Sequence, residues 1–430
     1  MYLKNKIANS DFLRHNAIFF AGTLAIAVFN YLYYPVISRL VDVATFGEIQ
    51  AIISIFMQLG ILLTAFGYAV THVRNNSQGL RTNSDSVILK LEKITLTISL
   101  LVVVVLATTS YFLKDTLQFS SALPFVLVGV LVIINIPSTT RTYVLQADKR
   151  LKEVSVSGII FAVSKLVFSV ILILAGVDAV GVMLGYIFAQ LLTVWYLSKK
   201  SKGSFPDFFD GIRQYFTKES IDQLKLIKRE IKFAGIICLL LFGITLLYSF
   251  DVVIARMYLT PYEAGLYSGI SSVARIVFFV TASISGVLIA SVTVRQSAAS
   301  ALGSLKKSMV LLLLIGGGIA IFFSVFPMFS LRLLLGTGYE SVATLLPLAS
   351  LLMLTCALNN LLVLYQIARR SYITIIPVII GFIILATMIL TGYTNMVGIL
   401  WSYLTANAAV FVILVIQILV REKYAKISQV

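Results

Sequence analysis

The sequence predicts an all-α polytopic membrane protein of about twelve transmembrane helices, and three observations carry that prediction. Apolar residues form 59% of the 430-residue chain and are gathered into long blocks separated by short polar gaps. Charged residues amount to only 12%, and no block alternates in the manner of a membrane β-strand. Blocks of about 20 residues match the hydrocarbon thickness of a bilayer at the 1.5 Å rise of a helix. A helix also satisfies its own backbone hydrogen bonds, as any lipid-exposed segment must.

Taken in order, the blocks centre near residues 28, 59, 101, 134, 165, 188, 240, 277, 318, 354, 382 and 408. Lys4, Lys6 and Arg14 precede the first. Its apolar stretch from Ala17 to Ile37 is too long for a signal-peptide core and no cleavage site follows, so it reads as a retained span. Pro124 and Pro137 fall in the fourth block, Gly316, Gly317, Gly318 and Pro327 in the ninth, Pro347 in the tenth and Pro377 in the eleventh. Membrane helices tolerate such breakers, which permit bending. The longest gap follows the sixth block, and there Phe205, Phe208, Phe209, Tyr215 and Phe216 interleave with charges, the pattern of a segment lying on the membrane surface. It divides the chain into an N-terminal six-helix lobe over 1–200, an amphipathic cytoplasmic linker over 201–228 and a C-terminal six-helix lobe over 229–430.

The net charge of +16 is distributed by topology. When alternate gaps are assigned to alternate sides, only Arg39, Lys114, Arg256 and Arg332 fall outside, and Lys165 and Arg275 lie within spans; the rest of the 34 Lys and Arg fall inside. This positive-inside asymmetry places both termini in the cytoplasm. It also suits anionic lipid headgroups as partners. Nucleic-acid binding is excluded, because no soluble domain remains to carry it. Cys238 and Cys356 both sit in apolar blocks, against a disulfide framework. His15 and His72 have no Cys, His or carboxylate cluster at ligand spacing, so no metal site is expected. No Gly-Lys-Ser/Thr phosphate loop and no long outer loop with catalytic residues is present, so neither ATP drive, a cofactor nor an enzyme activity is expected.

The division six and six invites a search for a repeat. Phe20-Ala21-Gly22 in "FFAGTLAIAVFNYLYYPVISRLVDVATFGEIQAI" is echoed by Phe233-Ala234-Gly235 in "KFAGIICLLLFGITLLYSFDVVIARMYLTPYEAGLYSGI". Ile37-Ser38-Arg39 is echoed by Ile254-Ala255-Arg256, and Phe46-Gly47 by Ala264-Gly265. Gln146 and Gln366, leaving spans four and ten, are each followed within a turn by a basic pair. The spacing predicts two parallel six-helix repeats.

These stretches, with "LLLGTGYESVATLLPLAS" in the ninth gap, resemble the polysaccharide transporters of the multidrug, oligosaccharidyl-lipid and polysaccharide exporter superfamily, the family of the Wzx O-antigen flippases. The resemblance covers nearly the whole chain in span count, loop lengths and topology. It implies two lobes around a central cavity that opens alternately to each side of the cytoplasmic membrane. The implied substrate is an undecaprenyl-pyrophosphate-linked oligosaccharide, and the implied partners are a glycan polymerase and glycosyltransferases. The related lipid II flippases carry two further C-terminal spans, absent here, which weakens the peptidoglycan-precursor reading. A drug exporter on the same fold is the other alternative, disfavoured by intramembrane cations. Multidrug exporters of the superfamily couple through a carboxylate buried in a lobe. No mid-span Asp or Glu is read in this sequence, so coupling is expected from the membrane potential, from an ion site of carbonyls and hydroxyls, or from the substrate gradient.

Such a substrate needs cations for its diphosphate, and a charge within a span is costly enough to imply a role. Arg275 lies about 16 Å into span eight at 1.5 Å per residue. Ser268, Ser271, Ser272, Ala282, Ser283 and Gly286 share its face, and Ile276, Val280, Ile284 and Val287 lie opposite, so it points away from lipid. Gln58 holds the corresponding place in span two. Lys165 in span five shares its face with Ser157, Gly158, Ala162 and Ser169. Arg275 is expected as the principal anion contact and Lys165 as an auxiliary. Arg39 and Arg256 at the outer mouths would guide the diphosphate, and Arg141, with Arg74 and Arg295, would receive it at the inner ends. Asn30, Gln58, Asn135, Ser271, Ser272, Asn359 and Gln366 are the polar groups expected to line the cavity. For each of these, interhelical bonding or snorkelling is the alternative. Asp251, Asp42, Glu48 and Glu263 are read at outer ends and Asp148 and Glu153 at inner ends, which leaves Arg275 without an acidic partner and favours an exogenous anion.

Overall fold

The structure, a computed structural model, describes residues 22–76, 81–202, 205–206, 221–292, 296–369 and 371–427, and among them every regular element is helical. Helix α1 covers 22–40. It is followed by α2 (Val43–Asn76), α3 (Arg81–Thr116), α4 (Leu123–Ala147), α5 (Leu151–Leu174) and α6 (Asp178–Ser201). The second half holds α7 (Ile221–Ser249), α8 (Asp251–Tyr258), α9 (Pro261–Ser291), α10 (Ala298–Val325), α11 (Pro327–Leu334), α12 (Leu346–Ala368), α13 (Ile375–Leu390) and α14 (Met396–Ile427), with a 3-10 turn at Thr337–Leu345. Each of the twelve apolar blocks falls on a helix. Nine of the described helices are long and apolar enough to cross a bilayer, and α7 with α8 adds a tenth span bent by 52°. Arg295 and most of the 201–228 linker lie outside the described residues.

The chain packs as two units: Met1–Val41 with Leu59–Cys238, and Asp42–Gln58 with Leu239–Val430. The 1–200 and 229–430 division describes chain order; packing assigns the first half of α2 to the C-terminal unit and carries the N-terminal unit through Cys238. In the first unit α6 is central, packed on both α5 and α4, and α4 in turn packs on α3. In the second, α12 contacts α9, α10 and α14, and α13 covers α14. Peripheral helices keep apolar residues outward: Leu101, Val104 and Phe112 on α3, and Leu314, Ile321 and Val325 on α10, are all exposed and suit lipid.

Helix starts follow local chemistry. Thr260 caps α9 in a reciprocal capping box with Glu263, and Pro261 occupies the first turn where its missing N–H costs nothing. Asp42 caps α2 by accepting from Thr45 N at 3.0 Å and Thr45 Oγ1 at 2.7 Å. Burial pushes the Asp42 carboxyl up, but the bonds from Thr45 outweigh it and hold the group below its ordinary range.

The two glycines that echo each other in sequence meet in the second unit. A Cβ on Gly47 would lie 2.9 Å from Gly265 Cα, and one on Gly265 would strike the Val43 carbonyl. Backbone cannot yield as a flexible side chain can. Gly265→Ala is therefore expected to destabilise the protein by about 1–3 kcal/mol, read as a lowered thermal unfolding midpoint in detergent. Gly303→Ala, where a Cβ meets nothing within 4 Å, is the control, and equal midpoints for the two variants would refute this packing.

Candidate functional site

The bend between α7 and α8 organises the polar interior of the second unit. Phe250 keeps its regular bonds, its N–H to Leu246 O at 3.3 Å and its O from Ile254 N at 3.1 Å, but Val253 N turns to the same Phe250 O at 3.0 Å, a tighter i to i−3 bond. Carbonyls freed near the break are taken up by side chains: Arg275 Nη2 donates to Ser249 O at 3.2 Å and Asn407 Nδ2 to Leu247 O at 3.0 Å. Cys356 Sγ also lies 3.7 Å from Leu247 O. Asp251 then opens α8 and accepts from Arg275 at 2.7 Å, from Ser271 at 2.6 Å and from Tyr267 at 3.3 Å. Arg275 and Asp251 are 2% and 0% exposed, a dry pair.

The expectation that Arg275 lacks an acidic partner is thus corrected. Asp251 does not end span seven; the chain continues as a helix for eight residues to Tyr258, which draws the carboxylate inward to the depth of Arg275. The predicted face holds only in its first turns, since farther along α9 Ser283 and Gly286 are exposed and Ile284, expected on the lipid side, is buried. Ser268, Ser271 and Ser272 are buried, whereas Val280 and Val287 are exposed. Ser272 bonds only to its own helix, at Gly269 O. Gln58 joins the same cluster, donating to Ser249 Oγ at 2.8 Å, and Asn359 reaches it through Asn407, at 2.9 Å to the main-chain oxygen.

Other cations are paired too. Arg256, 1% exposed, donates to Glu48 at 3.1 Å and to Pro261 O at 3.1 Å. Its sequence echo Arg39 is exposed and donates to Pro35 O at 2.8 Å, so the two do not share an environment. Arg141 is fully buried, bonded to Pro137 O at 3.0 Å, with Glu92 3.7 Å away. Glu92, 1% exposed in the first half of α3, is a buried carboxylate that the sequence reading did not single out. Asn135 accepts from Ser138, which meets Gln190. Gln366 lies apart, at the end of α12, fully buried against Arg421.

Lys165 differs from all of these. Its Nζ donates to Asn30 Oδ1 at 2.6 Å and stands 4.9 Å from the ring of Tyr33, 5.1 Å from Tyr186 and 5.7 Å from Phe161. Three ring faces and one amide oxygen enclose an ammonium that is 6% exposed. Among the described residues no carboxylate lies within ion-pair distance of it. The sequence reading found Lys165 and Asn30 but not the aromatic residues. Phe161, one helical turn before Lys165, was the available signal. Groups of three or more metal-ligating residues are absent among the described residues.

An all-helical polytopic architecture with polar networks inside each unit is that of a multi-pass membrane protein, and the comparisons agree. The chain matches the model of the polysaccharide biosynthesis protein family over residues 12–292, and it belongs to that family. No curated protein sequence matches it. Among solved structures, a multidrug resistance MATE family transporter of the MOP superfamily in an inward-facing conformation aligns with a TM-score of 0.74 at 12% identity, over 94% of this chain and 96% of that one. The eukaryotic MATE transporter AtDTX14 aligns at 0.57 and 17% identity, over 96% and 98%. A MOP superfamily transporter from Pyrococcus furiosus, described as having a binding pocket of reverse polarity, aligns at 0.57 and 12%, over 96% and 94%. Likeness at these identities establishes the fold.

Removing one member of a buried ion pair costs about 3–5 kcal/mol, whereas replacing both with apolar residues is far less costly. Arg275→Met and Asp251→Leu are each expected to lower the unfolding midpoint more than the double variant does. Additive losses in the double variant would show that the two groups do not act as a pair.

Proposed function

We propose that the protein is a flippase of the cytoplasmic membrane that carries an undecaprenyl-pyrophosphate-linked oligosaccharide across by alternating access, with both termini on the cytoplasmic side. The observation that carries this reading is Lys165, a buried ammonium with no carboxylate partner among the described residues. Family membership and the transporter fold supply its setting.

A lysine ammonium has three N–H donors. Asn30 takes one, and the rings of Tyr33, Tyr186 and Phe161 attract the charge without offering an oxygen acceptor. A diphosphate brings both missing elements, negative charge and acceptor oxygens. Drawing an unaccompanied diphosphate into an apolar interior is prohibitive, and a cation already placed there offsets that cost. Lys165 therefore takes the role of principal anion contact that the sequence reading gave to Arg275. Arg275 is occupied by Asp251, so its part is to hold the bent span. Asn30 is the exchangeable partner, held on a neighbouring helix of the same unit. Glycosyltransferases that build the lipid-linked unit and a polymerase that consumes it are the partners this reading requires.

The test is export in cells that depend on this protein for their surface glycan. Lys165→Met is expected to reduce export by on the order of tenfold, the effect of losing about 1.4 kcal/mol of interaction, at an unchanged level of protein in the membrane. Lys165→Arg should retain part of it. Full export with Lys165→Met would overturn the assignment.

A further inference from the structure

We infer that the ends of α12 and α14 form a binding site for a phosphate-bearing anion, on the side that the positive-inside asymmetry gives to the cytoplasm. It is separate from Lys165 and lies in the other unit, built on Gln366, Arg369 and Arg421.

Gln366 stands in the last turn of α12 and is 0% exposed. Its Oε1 accepts from Arg421 Nη1 at 3.3 Å, and Arg421 Nη2 donates to Arg369 O at 2.9 Å. Arg421 comes from α14, 55 residues away, and is half-buried. Arg369, at the C-cap of α12, is 9% exposed and sends Nη1 to Gln296 O at 2.8 Å, so the segment before α10 also joins the cluster. The acceptors that hold Arg421 are two neutral carbonyls.

The deciding observation is Gln366 Nε2, a buried amide nitrogen with no hydrogen-bond partner among the described residues. Two N–H donors out of contact with water are costly to leave unmade. Turning the amide over does not help, because it would set those N–H groups against the guanidinium of Arg421. The described contacts are one-sided: Arg421 is held by neutral oxygens and the Gln366 NH2 beside it has no acceptor among the described residues, so an acceptor with negative charge suits both. A phosphate oxygen supplies it, and the forked donors of arginine suit its geometry. A basic pocket between helix ends at the membrane surface receives such a group from a lipid headgroup or from free phosphate.

Thermal unfolding of the purified full-length protein in a neutral detergent tests this, with three additions: phosphatidylglycerol, phosphatidylcholine and inorganic pyrophosphate. The wild type is expected to gain several degrees with phosphatidylglycerol and none with phosphatidylcholine. An equal gain with pyrophosphate supports the site and makes free phosphate its ligand; a gain with phosphatidylglycerol alone supports it and makes a lipid its ligand. Arg421→Gln should lose the gain. Gln366→Glu places a carboxylate where the anion would sit, so it should raise the midpoint without additions and abolish the response to them. The site is refuted if Arg421→Gln responds as the wild type does, or if Gln366→Glu lowers the midpoint while keeping the response. The Gln366→Glu arm decides the matter even if Arg421→Gln does not fold. Since neither arm measures glycan export, its failure leaves the Lys165 reading standing, and the reverse holds as well.

Discussion

Breaking a helix inside an apolar unit releases backbone groups that no solvent will satisfy, and the second unit is arranged around the answer to that constraint. The C-terminal end of α7 carries the negative end of one helix dipole, and the N-terminal end of α8 carries the positive end of another. Arg275 stands beside the first, through Ser249 O, and Asp251 occupies the second, while the two side chains bond each other at 2.7 Å. Every charge in the bend therefore has an opposite neighbour. Removing either side chain leaves not one but two unmatched groups, the partner side chain and a helix terminus. Ser271 and Tyr267 take further lone pairs of Asp251, and Asn407 closes the carbonyl at Leu247. Four helices besides the broken one, α2, α9, α12 and α14, contribute side chains to the cluster.

Lys165 satisfies the same constraint by different means. A cation in a low-dielectric interior is tolerable when opposite charge or polarisable electron density surrounds it. Arg275, Arg256 and Arg141 have carboxylates near them. Lys165 has ring faces and an amide, which stabilise the charge while leaving its demand for an anionic acceptor unmet. Ring attraction is worth less than a buried ion pair, so an incoming anion has less to displace at Lys165 than at these three arginines. Under the proposed function, that difference in partners, more than depth along a span, separates Lys165 as the anion contact from the arginines that hold the fold.

The helices were legible because bilayer thickness sets their length: each of the twelve apolar blocks contains the helix expected of it. The lipid-averted face of Arg275 was legible because helical periodicity puts Ser268, Ser271 and Ser272 beside it, and all three are buried. Its partner was not. Counting depth along a straight span ends the seventh block at the first charge, Asp251, whereas the helix resumes after one residue and buries Val252, Val253, Ala255 and Arg256 with it. A bend without proline leaves no mark in composition. The cage around Lys165 was hidden for another reason. Tyr33, Phe161 and Tyr186 are ordinary aromatic residues in apolar blocks, and only packing brings rings from three helices to one ammonium.

The sequence echo between repeats has a physical counterpart that is selective. Gly47 and Gly265 occupy matching places and touch, and Gln58 and Arg275 occupy matching places and converge on one residue, Ser249, by its hydroxyl and its carbonyl respectively. All of these contacts fasten the first half of α2 within the second unit. The second half of the same helix is fastened in the first unit by Arg74, which reaches Asp148 at 2.9 Å and Asp85 at 2.5 Å, and by His72 with Glu230 at 2.8 Å. One unbroken helix of 34 residues is thus held by two polar sets. The assignment of α2 changes from one unit to the other at Leu59. Gly60 stands next to that point with open space at its Cβ position. A helix interior weakened by glycine there is the less costly place for the chain to yield, because the pins at both ends are partly buried and charged.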